Sequence, residues 1–310
     1  MKIMITGCDG QVGSCLVQQL NGRADIEYLA VDRDQLDITD ATAVEQMVHA
    51  FCPDAIINAA AHTAVDKAEQ EVELSYAINR DGPHYLAKAA NAVGAAMLHI
   101  STDYVFAGDK QGEYAESDAT DPQGVYGMSK LAGEQAVAAA CPRHIILRTA
   151  WVFCETGNNF VKTMLRLAQN RDELGVVADQ FGGPTYAGDI AKALITIATT
   201  LHTRDQQSDQ PHDQQRDQQQ GEPYYGIYHF AGQPHVNWHQ FASEIFNQAN
   251  AQGIISKVMR VNAITSDQYP TPAKRPANSK LNCQKIEQAF GIKPSDWQAA
   301  LHHLNRYMPM

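Results

Sequence analysis

The chain has 310 residues, 44% of them hydrophobic, and a formal net charge of -11. That content supports one large domain, or a major domain with a smaller companion. The acidic balance and the lack of a basic run exclude nucleic acid and anionic membranes as natural partners, and no run of about eighteen apolar residues is present to span a bilayer. The start, Met1 to Gly7, has the polarity of a first strand and lacks the features of a secretion signal. The six cysteines, Cys8, Cys15, Cys52, Cys141, Cys154 and Cys283, include no close metal-binding pair. They read as reduced, mostly structural thiols, which points to the cytoplasm.

In chain order, residues 2–6 read as a short apolar strand, Gly7 opens a turn, and residues 12–20 carry a helical pattern. Ile26 to Val31 reads as a second strand ending at Asp32. Asp40 is a capping residue for a helix through Phe51. Residues 55–58 form a third strand, residues 72–93 a long helical region ended by Gly94, and residues 97–101 a fourth strand. Asp103 to Pro122 reads as loop, Val125 to Ala140 as helix and residues 144–148 as a fifth strand. Strand and helix alternate over about 150 residues, which implies a parallel sheet covered by helices on both faces.

The remainder is less regular. Helices are expected at 158–170, 187–199 and 238–249, and strands at 175–178 and 227–230. The tail from Asn278 mixes helix and loop. Residues 203–222 contain eight glutamines and no strong apolar residue. They read as an exposed, low-complexity surface insertion.

Gly7-Cys-Asp-Gly10-Gln-Val-Gly13 follows a strand and precedes a helix. Glycines there let the backbone turn tightly and approach a pyrophosphate, and the helix start offers free amides to it. Asp32, at the end of the second strand, is placed to accept bonds from an adenosine ribose, which favours NAD. Arg33 beside it suits a 2′-phosphate instead, so the cofactor preference stays open.

Tyr126-Gly-Met-Ser-Lys130 puts a phenol and an amine four residues apart on one side of a helix. Beside a reduced nicotinamide the phenol can protonate a carbonyl oxygen while hydride arrives at its carbon. A free tyrosine has a pKa of about 10, and the cation of Lys130 is expected to bring Tyr126 closer to neutrality. Lys130 can also hold the nicotinamide ribose. Upstream, a hydroxyl of Ser101 or Thr102 can bond the substrate carbonyl, and Asp103 can cap the loop or shape the site. His62, His229 and His235 read as structural or pocket residues. The pattern reads as a nucleotide-cofactor reductase.

These residues resemble the extended short-chain dehydrogenase/reductase superfamily, and within it the family of dTDP-4-dehydrorhamnose reductases. The resemblance also rests on Asn58-Ala-Ala-Ala-His-Thr-Ala-Val-Asp-Lys-Ala-Glu69, Ala77-Ile-Asn-Arg-Asp-Gly82 and Ser101-Thr-Asp-Tyr-Val-Phe106. Further motifs are Arg148-Thr-Ala-Trp-Val-Phe153, Gly157-Asn-Asn-Phe160, Asp179-Gln-Phe-Gly-Gly-Pro-Thr185 and Arg275-Pro-Ala-Asn-Ser279. They span nearly the whole chain outside 203–222.

The resemblance implies reduction of the C4 ketone of dTDP-4-dehydro-β-L-rhamnose by NADPH or NADH. Thr102, Tyr126 and Lys130 fall on the catalytic positions. Gly7, Gly10, Gln11, Val12 and Gly13 match the cofactor turn, Asp37 and Ile38 fall near the adenine, and Ala59, Ala60, Ala61 and Thr63 line the next cofactor segment. Asn79 matches a polar position that supports the active-site backbone. Asp103, Val105, Phe106 and Trp151 are implied neighbours of the sugar. Asn158, Phe160, Arg275, Asn278 and Ser279 are implied on the nucleotide side, where an arginine can meet diphosphate bidentately. Magnesium-linked dimers occur in the family, so Mg2+ and a homodimer belong to the implication, with no metal ligand matched here. His62 replaces an expected tyrosine, and Ala107-Gly108 replaces an expected Asp-Gly.

The expected fold is α/β: a doubly wound parallel Rossmann-like sheet with a smaller mixed C-terminal substrate lobe. Residues 1–152 and 186–250 are assigned to the dinucleotide-binding part, with 203–222 as the insertion. Residues 153–185 and 251–310 are assigned to the nucleotide-sugar part. Another nucleotide-sugar reductase or epimerase of the superfamily, or a non-catalytic regulatory subunit, remains an alternative.

Overall fold

A computed structural model describes residues 1–208 and 224–308. Its centre is a six-stranded parallel sheet of β1 (Lys2–Thr6), β2 (Glu27–Val31), β3 (Ala55–Asn58), β4 (Ala96–Thr102), β5 (His144–Thr149) and β6 (Gly226–His229), in the order β6-β5-β4-β3-β1-β2. The strands read as apolar runs because both faces are covered. Ile3, Ile5, Ile57, Leu98, Ile145 and Leu147 face a cluster that includes Leu16 of α1 (Gln11–Leu20). Met4, Ile56, Met97 and Ile146 face the opposite way, against Val44 and Val48 of α2 (Ala41–Phe51) and Leu86 of α3 (Gly82–Ala92). This is the period of two that a pleated strand imposes. Chain order reverses between β1 and β3, so the crevice beyond their carboxyl ends is a ligand site for this topology.

Most expected elements are present with nearby boundaries. Asp40 does cap α2, its carboxylate accepting from Thr42 N and Ala43 N, each at 3.0 Å. The long helical region at 72–93 is instead a helix at Val72–Tyr76, a π turn at Ala77–Asp81 and then α3. Two close approaches shape this stretch. A Cβ on Gly82 would lie 2.6 Å from Ile38 Cδ1, and one on Gly133 would lie 2.0 Å from Asn79 O. The wider turn directs Asn79 inward, where it is fully buried.

The expected break after 199 is corrected. One helix, labelled α6 below, runs Ala187–Ser208, so residues 203–208 continue it. Its polar end is held by tertiary contacts: Asp205 pairs with Arg143, and the Arg204 guanidinium lies 3.4 Å from the centre of the Tyr224 ring. Residues 209–222 of the expected insertion lie outside the described residues. A further strand, Arg260–Ile264, was not expected; it pairs in parallel with Glu173–Val177. Its mostly exposed residues carry no apolar alternation to reveal it.

A second apolar cluster gathers Phe153, Leu165, Val176, Phe241, Ile245, Trp297 and Leu304. It joins α5 (Phe160–Ala168) to α7 (Trp238–Ala251). Leu281, Cys283 and Ile286 pack instead with the first cluster, beside the sheet. The described cysteines are free thiols. No described helix is long and apolar enough to cross a membrane.

Candidate active site

The glycine turn joins β1 to α1 at the switch point. Gly7 has φ +70°, and a Cβ there would lie 2.6 Å from Ala60 N. A Cβ on Gly13 would lie 2.0 Å from Gly7 O, so the helix start closes on the turn only with glycine. The cleft above is about 510 Å³ and is lined by Gly7, Gly10, Asp32, Arg33, Asp37, Ile38, Ala59, Ala60 and Ala61 among the expected residues. Gln11, Val12, Gly13, Thr63, Tyr126 and Lys130 are not on its wall. Asp9, Leu36, Thr39, His62, Leu74, Ala77 and Ile78 are on it without having been assigned there. Their apolar members carry no local signal, because a pocket wall and a core position look alike in sequence.

Asp32 has a structural occupation. Its carboxylate accepts from Asp9 N at 2.8 Å and from Arg33 N at 2.6 Å, which ties the turn to the end of β2. Arg33 extends into solvent, 3.9 Å from Asp37. Cys8, Asp9 and Asp32 are the grouping of possible metal ligands among the described residues, with ligand atoms within 4.8 Å of one another. The amides that already occupy Asp32, and the thiol, make it a poor fit for Mg2+.

Tyr126 and Lys130 project from α4 (Val125–Ala140) near the carboxyl end of β4. Thr102 ends β4. Its hydroxyl donates to Asp103 Oδ1 at 2.9 Å and accepts from Tyr104 N at 3.2 Å. The Tyr104 and Tyr126 rings meet edge to face at 5.4 Å. Asn79 accepts from His62 N at 2.8 Å and donates to Ser129 Oγ at 3.0 Å, so the π turn ties the cofactor cleft to α4.

Burial pushes the Tyr126 phenol up to about 12; the Thr102 hydroxyl opposes the rise and the Asp103 charge adds to it. The expectation that Lys130 draws the phenol toward neutrality is therefore not met. Lys130 is buried and donates to Ile100 O at 2.7 Å, and burial lowers it to about 8 with Glu134 opposing. The Lys130 ammonium is turned to the strand backbone at Ile100 O rather than toward the phenol. Burial likewise raises Asp103 to about 6, against the Ser279 and Thr102 hydroxyls.

A second cleft of about 630 Å³ is lined by Trp151, Phe160 and Arg275 among the expected residues, with Asp66, Tyr104, Arg171, Trp238 and Tyr269 also on its wall. Trp151 stacks on Trp238, ring centres 3.5 Å apart and 10° from parallel. Its backbone has φ +49°, unusual for a bulky residue, and its ring lies where a Cβ on Gly182 would come within 2.6 Å. Arg275 donates to Asp66 Oδ2 at 2.7 Å.

Other expected sugar or nucleotide contacts lie elsewhere. Val105 and Phe106 are core residues, Phe106 stacking on Tyr114 at 4.3 Å. Asn158 is exposed and off the cleft wall, whereas Asn159 caps α5. Asn278 donates to Lys110 O at 2.6 Å and to Gly112 O at 2.7 Å, fixing a loop. Ser279 is buried beside Asp103. His229 is buried among Tyr114, Phe106 and Arg148, which agrees with a structural role.

A parallel sheet with a glycine turn at its switch point, and a tyrosine and a lysine one helical turn apart beside β4, is the framework of a dinucleotide-dependent oxidoreductase. Residues 1–308 match the RmlD substrate binding domain family, and the chain belongs to it. It is 51% identical over 306 residues to a dTDP-4-dehydrorhamnose reductase of Aggregatibacter actinomycetemcomitans, with 99% of each chain covered. It is 40% identical to the enzyme of that name from Escherichia coli K12, covering 98% of this chain and 97% of the other. A crystal structure of a Bacillus anthracis dTDP-4-dehydrorhamnose reductase in complex with NADP superposes with a TM-score of 0.85, at 34% identity and 99% coverage of both chains.

Proposed function

We propose that this protein reduces the C4 ketone of dTDP-4-dehydro-β-L-rhamnose with NADPH or NADH, giving dTDP-β-L-rhamnose. The observation that carries this is the position of Tyr126: its neighbour Tyr104 lines one cleft, and the Asn79–Ser129 link joins its helix to the other. The glycine cradle at Gly7 and Gly13 fits a dinucleotide pyrophosphate, because any side chain would fill it. Bound there, a reduced nicotinamide supplies the hydride.

Tyr126 O–H donates its proton to the ketone oxygen as the alkoxide forms. Its high proton affinity keeps that proton in place until the carbonyl accepts negative charge. The Thr102 hydroxyl orients the carbonyl by turning its one proton from Asp103 Oδ1 to the ketone oxygen when the sugar binds, while Tyr104 N keeps its bond to the hydroxyl oxygen. Lys130 holds the nicotinamide ribose. Trp151 packs on the sugar, Phe160 on the nucleotide side, and Arg275 meets the diphosphate, exchanging Asp66 for phosphate oxygens. The division of the chain proposed from sequence is kept with two changes. Residues 238–250 join the nucleotide-sugar part, and residues 281–290 join the sheet part, following the clusters in which they are buried. A homodimer and a cytoplasmic setting belong to the same reading.

Incubation with the keto sugar and either reduced nicotinamide tests it. Consumption of reductant in proportion to a dTDP-rhamnose product is expected. Sugar interconversion with no net consumption of reductant would point to an epimerase and defeat the proposal. Arg275→Ala is expected to weaken sugar-nucleotide binding by tenfold or more, since a charged hydrogen bond contributes about 1.5–3 kcal/mol. Calorimetry with dTDP reads this directly, and equal affinity in variant and parent removes Arg275 from the site.

A further inference from the structure

Behind Lys130 runs a buried polar chain that the mechanism above does not use. Thr6 on β1, Asn58 on β3 and His99 on β4 are each at most 1% exposed. Thr6 Oγ1 donates to Asn58 Oδ1 at 2.7 Å, and Ala60 N donates to the same oxygen at 3.1 Å. A backbone amide can only donate, so the acceptor side of the Asn58 amide is fixed and Nδ2 points the other way. Nδ2 meets His99 Nδ1 at 3.0 Å. An amide nitrogen has no lone pair to offer, so Nδ1 must be the acceptor and the single ring proton resides on Nε2. A cationic ring would set N–H against N–H at Asn58; burial and the charge of Lys130 act against that form as well.

Nε2 faces Lys130 Nζ at 3.4 Å. An ammonium there turns a proton toward another N–H, whereas an amine offers it a lone pair. We propose that His99, locked as its Nε2–H tautomer by Asn58 and Thr6, is a positioning residue that loosens the hold of Lys130 on its third proton and so sets the alkaline limb of the reduction. This rests on Lys130 acting in the reaction. Burial also lowers the proton affinity of Lys130, but the other charged and polar groups around it do not. Glu134, one turn along α4, acts in the opposite sense and is engaged through both oxygens by Arg148 of β5, at 2.9 and 2.7 Å. Tyr126 lies one turn back on α4, Asp103 is bonded to Thr102, and the π turn presents the uncharged Asn79 amide to Ser129.

Nitrogen NMR on the histidine-labelled parent protein reads the tautomer directly. The expected result is a bare Nδ1 and a protonated Nε2 from about pH 6 to 9. A protonated Nδ1 overturns the proposal whatever reaction the protein catalyses, so this failure is separable from failure of the assigned function. His99→Phe keeps the ring volume and removes both nitrogens. The alkaline limb of kcat, measured at saturating substrate and cofactor, is expected about one pH unit higher, a tenfold change in the proton affinity of Lys130, with KM unchanged. Thr6→Val removes one of the two bonds that orient Asn58 and is expected to move the limb the same way by less. An unmoved limb in either folded variant reduces His99 to packing and overturns the proposal.

Discussion

Replacement of Tyr126 by phenylalanine is expected to lower turnover about 10²- to 10⁴-fold, the range associated with losing a positioned general acid. The change removes one oxygen and leaves the edge-to-face contact with Tyr104 in place. Folding and reduced-nicotinamide binding should therefore match the parent, the latter read by fluorescence titration. Because burial holds the phenol near 12, the parent keeps its proton across the neutral range, so the lost rate should be nearly independent of pH there. Turnover within threefold of the parent at saturating cofactor would show that another group delivers the proton.

The largest effect on stability is expected from Arg148→Met. Arg148 and Glu134 are bonded through two parallel contacts, and their side chains are only 2% and 3% exposed. The guanidinium also lies 5.0 Å from the centre of the Phe106 ring. Removing the cation alone leaves a carboxylate without a partner between α4 and β5. That should reduce the free energy of unfolding by about 3–5 kcal/mol, measured by urea titration. The double variant Arg148→Met with Glu134→Leu should recover most of the loss, because a buried pair replaced by apolar groups of similar volume is often neutral or stabilising. A single variant as stable as its parent would mean that water reaches Glu134.

Much of the dinucleotide half was legible because its signals are local. The glycine turn is a requirement of backbone approach: Gly7 and Gly13 leave no room for a Cβ. The Asp40 cap bonds amides two and three residues on, within its own turn. The α4 boundaries, and with them the spacing of Tyr126 and Lys130, follow from a capable helical run starting at Gly124. The π turn was not legible, since the close approaches made around it, Gly133 on Asn79 and Gly82 on Ile38, join residues far apart in the chain. Nor was the arginine's partner, because Asp66 lies 209 residues before Arg275. Phe106 matched a motif in which a substrate contact was implied, yet it is buried against Tyr114. A motif fixes the neighbours of a residue along the chain but leaves open which way its side chain turns.

The sequence by itself determined the parallel α/β framework, the glycine turn and the phenol–amine pair. Each follows from side-chain period, steric room or helical spacing within a few residues. Only the tertiary structure decided the electrostatic state of that pair. The phenol holds its proton more tightly than the isolated residue and the lysine less tightly, because burial disfavours the charged form of each. Proton affinity depends on solvent exclusion and on charges brought in from distant strands, which residue order alone does not specify.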